Sequence, residues 1–204
     1  MPSSSNTKRK FSKLQMIVLI ATVALSAIST DLYLSGFTDI TKSFSSTESQ
    51  VQLTLTFFML GFAGGQIISG PLSDHYGRLP ILKLSLVFYI LASIACFLVA
   101  NIETMWLARF IQGLAAAAGP VLGRAMVSDL YERQEAASFM SHIASAMAII
   151  PALAPILGSI LLHWFAWQSH FIALTLFGFG LLFAVHFIMF ETAPAKGGHA
   201  LNKI

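Results

Sequence analysis

Arg109 and Gln112 stand three residues apart inside one apolar stretch, and Asp31 stands inside another. Positions three apart share a helix face, so Arg109 and Gln112 can present a fixed positive charge and an amide to one place. A charge at the centre of a membrane helix costs about 2.5–3.5 kcal/mol on insertion scales, so such residues tend to bind or couple something. Arg109 is expected to line a cavity; the plainer alternative is a side chain snorkelling to the interface. Asp31 is either a carboxylate that takes a proton or attracts a cationic solute, or an interfacial residue capping a helix end.

A second group lies in the string Gly70-Pro71-Leu72-Ser73-Asp74-His75-Tyr76-Gly77-Arg78-Leu79-Pro80. Gly70 permits close packing at the end of one helix, Gly77 can take a positive φ, and Pro80 suits the first turn of the next helix. Asp74 and Arg78 can pair with each other or with a neighbouring loop, as a clasp holding one conformation; the alternative is a tight turn with solvated charges. Arg124 and Asp129 are expected to join that network. Pro151 and Pro155 remove backbone donors at i and i+4 of one helix, which bends it or frees carbonyls. None of these groups breaks covalent bonds. A rhomboid-type protease needs G-x-S-G, and the nearest strings, Tyr33-Leu34-Ser35-Gly36 and Ile67-Ile68-Ser69-Gly70, lack the first glycine. His142, His163, His170 and His186 show no metal-ligand spacing and read as interfacial or packing residues. Cys96 is the single cysteine, which excludes an intramolecular disulfide and a multi-cysteine metal site.

These residues must be positioned by membrane helices. Hydrophobic residues make up 56% of the 204 positions and charged residues 10%, against about a quarter charged in a soluble domain. Apolar runs over residues 14–36, 51–72, 80–100, 104–127, 138–162 and 169–190 each match the ~20 residues that cross a bilayer. The expected organisation is a tail at 1–13, an all-α bundle of six transmembrane helices at 14–190, and a second tail at 191–204. Lys8, Arg9, Lys10, Lys13, Arg78, Lys83, Arg133, Lys196 and Lys203 flank one side and only Lys42 the other. That bias places both termini in the cytoplasm and leaves the net charge of +3 without meaning for nucleic acid. The first run is too long for a cleaved signal peptide. Gly61 with Gly65, and Gly119 with Gly123, have the spacing of close helix packing. Three spans followed by three is compatible with an inverted repeat, although the halves show no clear sequence match. No N-P-A pair or regular arginine series suggests a channel.

The loop from Gly70 resembles the signature G-x-L-x-D-x-x-G-R of the major facilitator superfamily through Gly70, Leu72, Asp74, Gly77 and Arg78. Arg109-Phe110-Ile111-Gln112-Gly113 resembles the R-x-x-Q-G of its fourth span, and Pro151, Pro155 and Gly158 its antiporter motif. Asp31-Leu32-Tyr33-Leu34 is similar to the end of span one in the bicyclomycin/chloramphenicol-resistance subfamily of drug–proton antiporters. There are departures: Ser35, Gly36 and Phe37 replace the usual prolines, and His75 and Leu79 replace basic loop residues. Glu191-Thr192-Ala193-Pro194 resembles the start of a central loop between two six-span halves.

The resemblance implies the amino-terminal half of a major-facilitator fold and proton-driven efflux of small drugs or amphipathic metabolites across a bacterial inner membrane. Asp31, Arg109 and Gln112 would couple proton and substrate in a shared charged region. No cofactor is expected beyond the proton gradient, and no enzymatic activity. A full cavity needs two walls, so the chain alone is expected to be inert without a second six-helix half, a homodimer partner included. In a lone bundle the inner face of span four is expected to stand exposed.

Overall fold

The computed structural model describes residues 10–193. Lys8, Arg9, Pro194, Lys196 and Lys203, used above for orientation and for the central-loop resemblance, lie outside the described residues. The described chain is helical throughout, with α1 (Lys13–Leu34), α2 (Phe37–Ser43), α3 (Glu48–Tyr76), α4 (Arg78–Leu98), α5 (Ile102–Ala116), α6 (Ala118–Leu130), α7 (Arg133–Trp164) and α8 (Ser169–Ile188). Six segments are long and apolar enough to cross a membrane: α1, α3, α4, α5 continued by α6, α7 and α8. Helices are the natural form because hydrocarbon offers no partner for a backbone N–H or C=O, and a helix satisfies both internally.

Local chemistry sets the starts. Ser12 with Gln15, and Thr47 with Gln50, form reciprocal capping boxes at α1 and α3. The Asn101 side chain accepts from the Thr104 N–H at the start of α5. The short apolar-in helix α2, which buries Ile40, occupies what the sequence presents as a polar loop. Seven residues are too few for a periodic signal. Span four is interrupted at Ala117, between α5 and α6. Pro120, in the first turn of α6, has no N–H to give the Ala116 carbonyl, so the ladder breaks there.

Helix pairing follows a two-fold pattern. The most extensive pairings are α3 with α5, α4 with α8 and α1 with α7. In span numbers these are two with four, three with six, and one with five. Exchanging spans 1–3 for 4–6 maps the first pairing onto the third and the second onto itself. That is the contact pattern of two inverted three-helix repeats, present here although the two halves share no obvious sequence.

The α3–α5 pairing depends on glycine. A Cβ at Gly61 would strike the carbonyl oxygen of Phe110, and one at Gly113 that of Phe58. Gly65 faces Leu114 and Ala117 in the same seam, and Gly119 and Gly123 let α6 approach Thr22 and Val23 of α1. Close packing is therefore the role of both glycine pairs. Gly70 differs from its expected role: a Cβ there would meet only Val121, at 4.0 Å.

Candidate functional site

Arg109 is wholly buried, at 0% exposure. Its guanidinium carbon lies 4.4 Å from the centroids of both Tyr33 and Phe58, so two aromatic rings from α1 and α3 hold the cation. Each such contact is worth about 2 kcal/mol when desolvated. Nη1 donates to Gln112 Oε1 at 2.6 Å and reaches the Ser29 carbonyl at 3.4 Å.

The neighbouring hydroxyls fix the direction of the network. Ser93 Oγ donates to the Tyr89 carbonyl at 2.8 Å, so it must accept from Gln112 Nε2, also at 2.8 Å. Ser29 donates to the Leu25 carbonyl at 2.6 Å and therefore accepts from the Tyr89 hydroxyl at 2.6 Å. Thr54 donates to the Val51 carbonyl and accepts from the Tyr33 hydroxyl, each at 2.6 Å. Cys96 Sγ lies 3.9 Å from Gln112 Oε1. Spans one to four thus meet on one arginine. Its Nε and Nη2 have no hydrogen-bond partner, and no ion pair among the described residues involves it.

Two expectations change here. Arg109 lies in the packed interior of the six-helix bundle rather than lining an open cavity. Spacing fixes which face of a helix a residue takes, but not how closely the neighbours pack on that face. Nor is span four the exposed wall: 61% of its apolar window is buried, as in α1, against 11% in α7 and 28% in α3 and α8.

Asp31 is not brought to Arg109. Ser29 and Tyr33, one turn apart, face the arginine, and Asp31 sits midway between them on the opposite face of α1. Its Oδ1 lies 3.4 Å from Thr30 Oγ1. It is half-buried and enters no ion pair among the described residues.

The Asp74/Arg78 clasp is formed. The loop between α3 and α4 is a single residue, Gly77, at φ +100°. That value favours glycine, and α3 runs on through Pro71 to reach it. Arg78 pairs through Nη1 with Asp74, donates through the same nitrogen to Ser73 Oγ at 2.8 Å, and donates through Nε to Asp129 Oδ2 at 3.1 Å. Arg78 and Asp129 are 11% and 15% exposed, and Asp74 is 66% exposed. Arg124 stays exposed and outside the network, so the expected fourth member is absent from it.

Glu191 plays a part that the sequence did not reveal. The start of α4 has no side-chain cap of its own, since its N-cap is Gly77. Glu191, 112 residues further on, accepts from the Arg78 N–H at 2.9 Å and from the Leu79 N–H at 3.0 Å. It also accepts from the N–H groups of Thr192 and Ala193, each at 2.9 Å. Partial burial pushes the Glu191 carboxyl up, but these four donors outweigh it and hold the group below its ordinary range. Thr192 Oγ1 adds a bond to Asp129 at 3.3 Å. The ends of α3, α6 and α8 are thereby tied at one end of the bundle. The Lys10–Glu135 ion pair and the Phe11 N–H to Tyr131 hydroxyl bond lie there too.

In α7 the helix is continuous through Pro151 and Pro155. Neither can donate to the carbonyl four residues back, so the Met147 and Pro151 carbonyls lose their usual helical donor. Gly158 brings α7 against Ser35 and the Leu32 carbonyl of α1.

Comparison with known proteins agrees with this architecture. The family model described as Major Facilitator Superfamily matches residues 19–203. An uncharacterized MFS-type transporter of Bacillus subtilis (strain 168), YdgK, is 37% identical over 187 residues, covering 90% of this chain and 46% of that protein. The multidrug resistance protein MdtL of Escherichia coli O9:H4 (strain HS) is 33% identical over 182 residues, covering 89% of this chain and 46% of its own. The chain spans about half the length of the curated relatives it matches. Among solved structures, a bacterial homolog of the human lysosomal transporter Spinster superposes with a TM-score of 0.71 at 17% identity, over 88% of this chain and 44% of that one. A D-xylose-proton symporter does so at 0.68 and 17%, over 89% and 49%. At such identities these two support the fold alone.

Proposed function

We propose, from the premise that this chain belongs to the major facilitator superfamily, that it builds one six-helix half of a proton-coupled exporter of small drugs or amphipathic metabolites. It is a multi-pass membrane protein of the transporter type. The drug class is supported by the relative named as a multidrug resistance protein. The string Asp31-Leu32-Tyr33-Leu34 favours the bicyclomycin/chloramphenicol-resistance branch. The bias of Lys and Arg favours both termini in the cytoplasm, and the bacterial relatives favour a bacterial inner membrane.

One observation carries the proposal: a buried guanidinium with no carboxylate partner, wired by Gln112, Ser93, Tyr89 and Ser29 into the surrounding spans. An arginine stays charged in a protein. Asp31, on the opposite face of α1, is the carboxylate for which a proton and a cationic drug would compete. A proton entering from outside neutralises Asp31, displaces the drug and biases the bundle toward the inward-facing state. The Arg78 clasp and the Glu191 cap then form one of the latches released as the halves rock. The sparsely buried α7 face awaits either lipid or the second wall.

The test uses cells stripped of their own efflux pumps. They express this chain alone, or with the carboxy-terminal half of a multidrug relative. Resistance to bicyclomycin-like or chloramphenicol-like drugs is expected only on co-expression. Arg109→Ala removes it; Arg109→Lys retains part, since charge survives without the planar donor fork. Efflux by the purified monomeric chain would overturn the two-wall requirement, and efflux by a purified homodimer would make a second copy the missing wall. For orientation, a cysteine placed at the exposed Glu48 should be labelled from outside in intact cells and one at His75 should not.

A further inference from the structure

His170, set aside above as a packing residue, is wholly buried at the α2 end of the bundle. Its Nε2 lies 3.1 Å from the Gly158 carbonyl of α7 and 3.4 Å from Ser35 Oγ of α1. A carbonyl only accepts, so Nε2 carries the hydrogen. Ser35 spends its own hydrogen on the Leu32 carbonyl at 2.7 Å, and it too can only accept from the ring. The tautomer is therefore fixed, and Nδ1 is left as a bare lone pair. That atom is buried and has no partner. The space beside it exists because residue 36 is glycine: a Cβ there would lie 3.1 Å from Nδ1 and 3.0 Å from Cε1.

Every element packed around the ring is neutral at the contact or holds its charge at a distance. α1 offers the Ser35 hydroxyl, with Asp31 one turn further down. α2 offers Asp39, an exposed carboxylate whose field reaches the ring, and Lys42 beyond it. α7 offers the Gly158 carbonyl, and its His163 is exposed and packed edge-on against Trp164. Residues 92–98 of α4 hold Cys96 as their one titratable side chain.

The geometry points to His170 as a second proton-binding site, separate from Asp31, that acts as a latch. Neutral, it fastens the start of α8 to Gly158 of α7 and Ser35 of α1. A proton from the outer solvent adds to the Nδ1 lone pair, with no other bond made or broken. The new N–H then faces Gly36, where it has no acceptor, and a buried unpaired charge is costly. The corner relieves that cost by opening toward water and Asp39. Because Gly158 packs on the end of α1, opening loosens α7 from α1. This inference does not depend on the transported substrate.

Trp167 supplies the probe. Its carbonyl accepts the His170 backbone N–H at 3.2 Å, and its Cβ lies on the same side of the corner as Gly36. The full chain carrying Trp106→Phe and Trp164→Phe is placed in lipid nanodiscs, leaving Trp167 as the sole tryptophan. Its emission is followed between about pH 8 and about pH 5, the range in which histidine changes charge. A single sigmoidal change in emission is expected, because opening the corner brings the buried Trp167 into contact with water. His170→Gln, which keeps a donor for Gly158 but cannot titrate, should flatten the curve. Asp39→Asn should move its midpoint without abolishing it. A flat profile in the folded parent, or the same profile in His170→Gln, overturns the proposal. Should His170→Gln fail to fold, Gly36→Ala, which crowds Cε1, must displace the midpoint; an unmoved midpoint overturns it equally.

Discussion

Removing the Glu191 carboxylate strips α4 of the only side-chain acceptor at its amino end among the described residues. Glu191→Ala leaves the Arg78 and Leu79 N–H groups to water; the third helical residue, Pro80, has none to lose. Loss of an N-cap acceptor costs about 0.5–2 kcal/mol. A carboxylate at a helix start adds about 0.3–1 kcal/mol through the macrodipole. Glu191 is exposed, so water replaces part of both, and about 1 kcal/mol is the expected loss. Glu191→Gln keeps an acceptor oxygen without the charge and should lose about half of that. Amide hydrogen exchange reads the effect locally: a loss of about 1 kcal/mol speeds exchange at Arg78 and Leu79 by about 5-fold. Amides in the middle of α4 should not change. Unaltered exchange at Arg78 and Leu79 in Glu191→Ala would refute the cap and leave Glu191 a bystander of its own turn.

Glu191 also sets a pH dependence. Its pKa is depressed on folding, so the cap's contribution is complete above the ordinary glutamate value, about 4.3, and is lost as pH falls through the lower folded value. As the pH is lowered from the ordinary glutamate value through the folded one, thermal melts should progressively lose the difference between wild type and Glu191→Gln. At the clasp, Asp129→Asn should cost about 1–3 kcal/mol in denaturant unfolding, and Asp74→Asn at most about 0.5, because Asp129 is shielded and Asp74 is solvated. Equal costs would deny the difference in burial. Transport in a two-half context should likewise fall further for Asp129→Asn. Gly113→Ala should cost about 1–3 kcal/mol by forcing α5 off the Phe58 backbone, and Gly64→Ala, with open space at its Cβ, should not destabilise.

The spans were legible because a nearly uncharged apolar run of membrane length is stable only across a bilayer. Their ends were less so. α3 continues past Leu72 to Tyr76 because a polar last turn outside hydrocarbon looks the same as a loop. The break at Ala117 had a signal, Pro120, hidden by the run of alanines before it. The Arg109–Gln112 bond followed from their spacing, and the Asp74–Arg78 pair from theirs. Tyr33, Phe58, Tyr89 and Ser93 could not be attached to Arg109, since they come from three other helices and aromatic or serine residues are common in any span. Asp31 was grouped with Arg109 by charge alone, and helix phase separates them. Glu191 and His170 act across 112 and 12 or more residues, on backbone atoms that no motif records.

The glycine seam between α3 and α5 also has a genetic meaning. A side-chain clash can be cured elsewhere in the gene: Gly123→Ala strikes Val23 Cγ2, at 2.6 Å, and Val23→Ala makes room. Gly178→Ala strikes Ile90 Cγ1, at 3.0 Å, and Ile90→Ala, which removes that atom, does the same. Gly61 and Gly113 meet carbonyl groups, which every amino acid carries. No single substitution at Phe110 or Phe58 can remove them. Selection for revertants should thus return compensated alleles at Gly123 and Gly178, but only true reversions at Gly61 and Gly113. Lineages of this protein can drift at the first pair of sites and are held at the second.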